Sequence, residues 1–132
     1  MWLVDNHRDS LFCFRIMAEL QFPLPRPEVI NLTRGRFVNC VAIVTGGASG
    51  IGRATAERLA NDGASVAIFD INDRLGRTVA DDLSARGLKV TAYDVDISKM
   101  DAVVAGVKQV VEKYGGINLL VNNAVNFLSA GT

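Results

Sequence analysis

The sequence predicts an α/β fold in which a parallel sheet carries helices on both faces. Two observations carry that expectation. Short, continuous apolar runs, the pattern of strands buried on both sides, alternate with segments whose apolar residues recur every three or four positions. Ten of the twelve glycines fall between Gly46 and Gly116, where they separate these segments. Alternation at this spacing implies β-α-β units, whose crossovers are right-handed almost without exception.

Each element can be justified in order. Residues 1–36 contain all three prolines (Pro23, Pro25, Pro27) and no sustained period, so they read as a loosely ordered N-terminal extension to a domain covering 37–132. Val41, Ala42, Ile43 and Val44 make the first strand, which ends at Thr45-Gly46-Gly47. Residues 49–61 fit a helix with Ile51, Thr55 and Leu59 inward and Gly63 just past its end. A second buried strand covers 66–70. Asn72 or Asp73 then caps a helix in which Leu75, Val79 and Leu83 recur until Gly87. Residues 89–94 make a third strand. Ser98 and Asp101 have capping-box spacing before a helix with Val103, Val107, Val110 and Tyr114 inward and Gly115 as its stop. Residues 117–121 make the fourth strand, giving β-α-β-α-β-α-β.

Length and composition limit what such a chain does. Its 132 residues suffice for one domain of ordinary size and not for two. Hydrophobic content of 49% with 21% charged residues excludes a disordered chain. Fourteen Lys plus Arg balance fourteen Asp plus Glu, which argues against a nucleic-acid partner. Cys13 and Cys40 form no CxxC and make no metal site with the single His7, which fits a reducing compartment. No apolar run approaches the roughly 18 residues that span a membrane, and the patch at 11–14, stopped by Arg15, is too short for a signal-peptide core. The expectation is a cytoplasmic protein with no membrane partner.

The turn after the first strand carries the chemistry. It reads Thr45-Gly46-Gly47-Ala48-Ser49-Gly50-Ile51-Gly52 and opens a helix. Glycines permit a tight turn and close approach to a pyrophosphate, while the helix start points N–H groups and a positive dipole end at the phosphates. Asp70 ends the second strand, where a dinucleotide fold places the acid that binds the adenosine ribose. Hydrogen bonds from ribose hydroxyls to a carboxylate contribute about 1.5 to 3 kcal/mol. A 2′-phosphate about 4 Å away would instead meet repulsion of roughly 1 to 4 kcal/mol per charge pair. No basic residue offsets this, since Ser49 precedes Gly50 and Ile71 follows Asp70. NAD is therefore expected in preference to NADP.

These residues together resemble the N-terminal part of a short-chain dehydrogenase/reductase, over about residues 35–130. The TGxxxGxG loop of that family appears as Thr45, Gly46, Gly50 and Gly52, and the acid after the second strand as Asp70. The adenine-contacting Asp appears as Asp96, followed by Ile97, and the NNAG motif as Asn122-Asn123-Ala124. The resemblance implies a partial Rossmann fold with strand order 3-2-1-4, a nicotinamide dinucleotide, and hydride transfer between alcohol and ketone. The cofactor-binding residues it marks are Thr45, Gly46, Ser49, Gly50, Ile51, Gly52, Asp70, Ile71, Asp96, Ile97, Asn123 and Ala124.

Several positions depart from the pattern. Asp94-Val95 offers a second register for the third-strand motif, and Asp96 is preferred because Ser98 and Asp101 then open the next helix. Val125 replaces the NNAG glycine, at a cost of about 1 to 3 kcal/mol if that site needs positive φ. Asn118 stands where the family often has Asp, a change expected to alter local hydrogen bonding. The family's catalytic Ser and Tyr-x-x-x-Lys have no counterpart: Tyr93 is followed four residues later by Ile97, Tyr114 by Asn118, and Ser129 comes too soon after the fourth strand. No residue is assigned as catalytic. The expectation is thus the cofactor-binding portion of an oxidoreductase. The alternatives are a non-catalytic nucleotide-binding module and an inert truncated product. Leu119, Leu120 and Val121 are expected on an open sheet edge, available for association with a second copy or for aggregation.

Overall fold

A computed structural model describes residues 35–125. The elements are β1 (Val41–Thr45), α1 (Gly50–Asn61), β2 (Ser65–Asp70), α2 (Asp73–Ala85), β3 (Val90–Asp94), α3 (Met100–Tyr114) and β4 (Leu119–Val121). They form one parallel sheet of order β3-β2-β1-β4. The register runs from Val41 opposite Ser65 to Thr45 opposite Phe69, from Val66 opposite Val90 to Asp70 opposite Asp94, and from Ala42 opposite Leu119 to Val44 opposite Val121. The expected class and strand order are both observed. Strand order reverses between β1 and β4, which in open α/β sheets opens a crevice at the carboxyl ends of the strands.

The sheet is the middle of three layers. Ala42 and Val44 of β1 face α1 and α2 together with Val66, Ile68, Leu59, Val79 and Leu83. Val41 and Ile43 face α3 together with Ala67, Phe69, Val103, Val107 and Val110. Burial on both faces explains why β1 and β2 read as uninterrupted apolar runs. Each fully buried Val, Ile, Leu or Phe contributes about 1.5 to 3 kcal/mol.

The helices lie closer to the sheet than their large side chains suggest. In α1 the expected inward Ile51 is 80% exposed, and the buried positions are Gly52, Ala56, Leu59 and Ala60. In α2, Leu75 is 38% exposed, while Gly76, Val79, Ala80 and Leu83 are buried. Leu59, Val79 and Leu83 are buried as expected, while the rest of each inward stripe falls one residue later, on glycine and alanine, which let the helix backbone approach. In α3 the expected Val103, Val107 and Val110 are buried with Gly106.

Helix ends follow expectation in part. The Asn72 side chain accepts the Leu75 N–H at 3.1 Å and caps α2. Gly63, Gly87 and Gly115 follow or cap the three helices with φ of 102°, 82° and 85°. The expected capping box at Ser98 does not form. Lys99 occupies the N-cap of α3 without a side-chain bond, and the Ser98 hydroxyl donates instead to Asp96 Oδ1 at 2.6 Å.

The fourth strand is shorter than expected, Leu119–Val121. Asn118 Oδ1 accepts the Val41 N–H at 2.8 Å, and the Asn118 N–H donates to the Val41 carbonyl at 2.8 Å, so a side chain substitutes for part of the strand ladder. Expectations for residues 1–34, including Cys13, His7 and the prolines, and for Ser129 lie outside the described residues. Residues 36–39 form a turn in which Arg36 approaches Asp62 at 3.6 Å.

Candidate functional site

The glycine turn leaves the carboxyl end of β1 and lies against the end of β2. Gly46 has φ of 65°, and its N–H donates to the Phe69 carbonyl at 2.7 Å. Ala48 is buried, and its N–H donates to Asp70 Oδ2 at 3.0 Å. The other carboxylate oxygen of Asp70 accepts the Asn72 N–H at 2.9 Å. Asp70 is thereby tied both to the turn and to the start of α2.

On its other side the turn meets the chain leaving β4. Thr45 is 1% exposed; its hydroxyl accepts the N–H groups of Asn123 and Ala124, each at 3.0 Å, and donates to the Val121 carbonyl at 3.4 Å. The Asn123 amide donates in return to the carbonyls of Thr45 at 3.1 Å and Gly46 at 3.2 Å. A Cβ on Gly52 would collide with the Gly46 carbonyl and Asn123 Nδ2, so this glycine is required by the protein's own packing.

Gly50 is different. It opens α1 with φ of 53°, and a Cβ there meets nothing within 4 Å. Ser49, the extended N-cap, makes no side-chain cap bond, and the first turn of α1 holds no acid. The first-turn N–H groups have no partner within the helix, and together with its positive dipole end they lie at this open side. The donor set and the open space fit the phosphates of a dinucleotide.

The chain leaving β3 stands beside Asp70, since the Val95 N–H donates to the Asp70 carbonyl at 3.2 Å. Asp94 ends the β3 ladder opposite Asp70, whereas Asp96 lies in the following loop. Asp96 Oδ1 accepts the Ser98 hydroxyl at 2.6 Å and the Ser98 N–H at 3.0 Å, and Lys99 Nζ is 3.6 Å from Oδ2. The Ser98 hydroxyl, then its N–H, and more weakly Lys99 hold this carboxyl below the usual carboxylate range. Ile51 and Ile71 are 80% and 72% exposed beside Gly50 and Asp70. Ile97 instead packs, partly buried, on the α3 side of the core.

The structure thus brings Thr45, Gly46, Gly52, Asn123 and Ala124 into one cluster, and connects Asp70 to it through Ala48. Val125 is not strained, because Asn39 is the one non-glycine residue with positive φ among the described residues. Tyr93 packs edge-on against Phe69, ring centroids 5.8 Å apart, and burial followed by the influence of Tyr114 pushes its phenol up. The Tyr114 hydroxyl is 2.6 Å from that of Thr91. A depression of about 400 Å³ lies elsewhere, at the outer edge of β3 between Arg77, Asp94, Gly106 and Gln109; neither the glycine turn nor Asp70 lines it.

Sequence reasoning missed two connections. The Thr45 hydroxyl as a double acceptor had a signal, a hydroxyl at the end of a buried run that must find partners. The Ala48 N–H had none, because every non-proline residue carries that donor.

A family model described as short chain dehydrogenase matches residues 40–128. The chain belongs to the short-chain dehydrogenase/reductase family. Members of this family use nicotinamide dinucleotides, NAD or NADP. The chain is 48% identical over 88 residues to a 3-oxoacyl-[acyl-carrier-protein] reductase FabG of Chlamydia muridarum, covering 66% of this chain and 36% of that protein. It is 46% identical over 86 residues to the 3-hydroxyacyl-CoA dehydrogenase type-2 of Drosophila melanogaster, covering 65% of this chain and 32% of that protein. The solved structure of a citronellol catabolism dehydrogenase (AtuB) from Pseudomonas aeruginosa PAO1 is similar with a TM-score of 0.68 and 35% identity, over 76% of this chain and 42% of that one. The chain spans about a third of the length of these curated short-chain dehydrogenase relatives. Among the described residues, no helix is long and apolar enough to cross a membrane.

Proposed function

We propose that this chain binds a nicotinamide dinucleotide, NAD in preference to NADP, as the cofactor-binding portion of an oxidoreductase that transfers hydride between alcohol and ketone. The observation that carries the preference is Asp70, a carboxylate bonded to a turn that contains no Lys or Arg from Thr45 to Gly52. Each Asp70 oxygen accepts one backbone N–H and keeps a further lone pair for a ribose hydroxyl. The first-turn N–H groups of α1, beyond Gly50, receive the phosphates, with Ser49 and Ile51 beside them. Asp96 offers Oδ2, which Lys99 approaches only to 3.6 Å, to the adenine amino group, and the exposed Ile51 and Ile71 offer apolar surface to the adenosine. Thr45, Asn123 and Ala124 hold the turn in shape, and Gly52 lets it close. Ile97 supports the Asp96 loop from the core side.

When bound, the nicotinamide ring supplies the hydride chemistry. The proton that accompanies hydride transfer needs a hydroxyl of lowered pKa; burial pushes the Tyr93 phenol the other way, and neither Tyr93 nor Tyr114 has a Lys four residues on. The residues described here serve cofactor capture. Titration of the chain with NADH and NADPH tests this reading. Saturable binding with NADH tighter supports it; tighter NADPH rejects the preference.

A further inference from the structure

We propose that Asp70 is the positioning residue of the glycine turn, holding it closed before any ligand arrives, in addition to selecting the ribose. Three observations place it in that role. Two bonds join the turn to the end of β2, from the Gly46 N–H to the Phe69 carbonyl and from the Ala48 N–H to Asp70 Oδ2. The first uses backbone alone, whereas the second depends on a side chain. Ala48 is only 2% exposed, so its N–H cannot exchange Asp70 for water without opening the turn. Gly47, between them, packs so closely that a Cβ would lie 3.0 Å from Ile68 Cγ2, which leaves the turn little room to settle differently.

The second oxygen of Asp70 is bonded to the Asn72 N–H at the start of α2, which fixes the carboxylate plane. One charged group therefore joins the turn, the end of β2 and the cap of α2. A substitution made to admit a 2′-phosphate would also release the turn that shapes the phosphate site. Removal of the charge at position 70 thus fails to convert the chain to NADP, although it relieves a direct repulsion. This consequence rests on the cofactor reading above; the anchoring of the turn does not.

The test uses the full 132-residue chain with Asp70→Asn and Asp70→Ala. Amide hydrogen exchange by NMR without cofactor reads the anchor. Ala48 is expected to exchange about tenfold faster or more in the Ala variant, the size set by losing a hydrogen bond to a charged acceptor, and less so in the Asn variant, whose single neutral Oδ1 can accept only one of the Ala48 and Asn72 N–H groups, while Val66 and Ile68 of β2 keep their protection. Ala48 exchange at the unsubstituted rate in the Ala variant would overturn the proposal, as would general loss of protection along β2 in the near-isosteric Asn variant. Dissociation constants for NADH and NADPH supply the second readout. Both are expected to weaken in the Asn variant, NADH more than NADPH. Improved NADPH affinity with unchanged Ala48 exchange would reduce Asp70 to a ribose ligand. Absence of NADH binding by the unsubstituted chain, with Ala48 still accelerated in the variants, rejects the cofactor reading and not the anchor.

Discussion

The Ser98 hydroxyl and N–H hold the Asp96 carboxyl below the usual carboxylate range. The folded carboxyl value lies below its unfolded value, so the Ser98 bonds add stability above the ordinary carboxylate range and lose it as pH falls through the lowered folded value. Ser98→Ala is expected to move the Asp96 titration upward, read from the carboxyl carbon by NMR; an unmoved titration contradicts the assignment. At Thr45, Thr45→Val strips the acceptor from two backbone N–H groups and is expected to cost about 1 to 3 kcal/mol or more, measured by urea denaturation. Two glycines separate packing from binding. Gly52→Ala collides with the Gly46 carbonyl and Asn123 and is expected to destabilise by about 1 to 3 kcal/mol. Gly50→Ala enters open space, costs about 1 to 2 kcal/mol for its left-handed backbone, and is expected to weaken NADH binding out of proportion to that loss. The sequence marked these glycines as one motif without separating their roles, because spacing does not say what a missing Cβ would strike.

Among the elements, strands were legible and helix faces only partly so. β1 and β2 bury both faces, so their apolar runs have one interpretation. In α1 and α2 the inward stripe includes Gly52, Ala56, Gly76 and Ala80, residues too small to register in a pattern read from large side chains. α3 was read correctly because its stripe is valine, yet Gly106 sets its distance from the sheet. A Cβ there would lie 2.8 Å from Val95 Cγ2 and 3.0 Å from Phe69 Cζ. Gly106→Ala is therefore expected to cost about 1 to 3 kcal/mol despite the better helix propensity of alanine, measured by thermal denaturation; a stabilised variant would contradict this packing. The capping box at Ser98 was misread because the same hydroxyl had a nearer acceptor in Asp96.

For the whole molecule, the strand order β3-β2-β1-β4 places the carboxyl ends of β1, β2 and β4 around the glycine turn. Fold class and order were legible because alternation and right-handed crossovers leave few topologies. The site was legible as residue types at fixed spacing, but the bonds that unite it, through the Ala48 N–H and the Thr45 hydroxyl, depend on three-dimensional proximity. Leu119, Leu120 and Val121 remain half-buried at the β4 side of the described sheet. The most direct measurement is a parallel fluorescence titration with NADH and NADPH. The expected result is saturable NADH binding with NADPH weaker. No saturable NADH signal, or tighter NADPH, would contradict the proposed function.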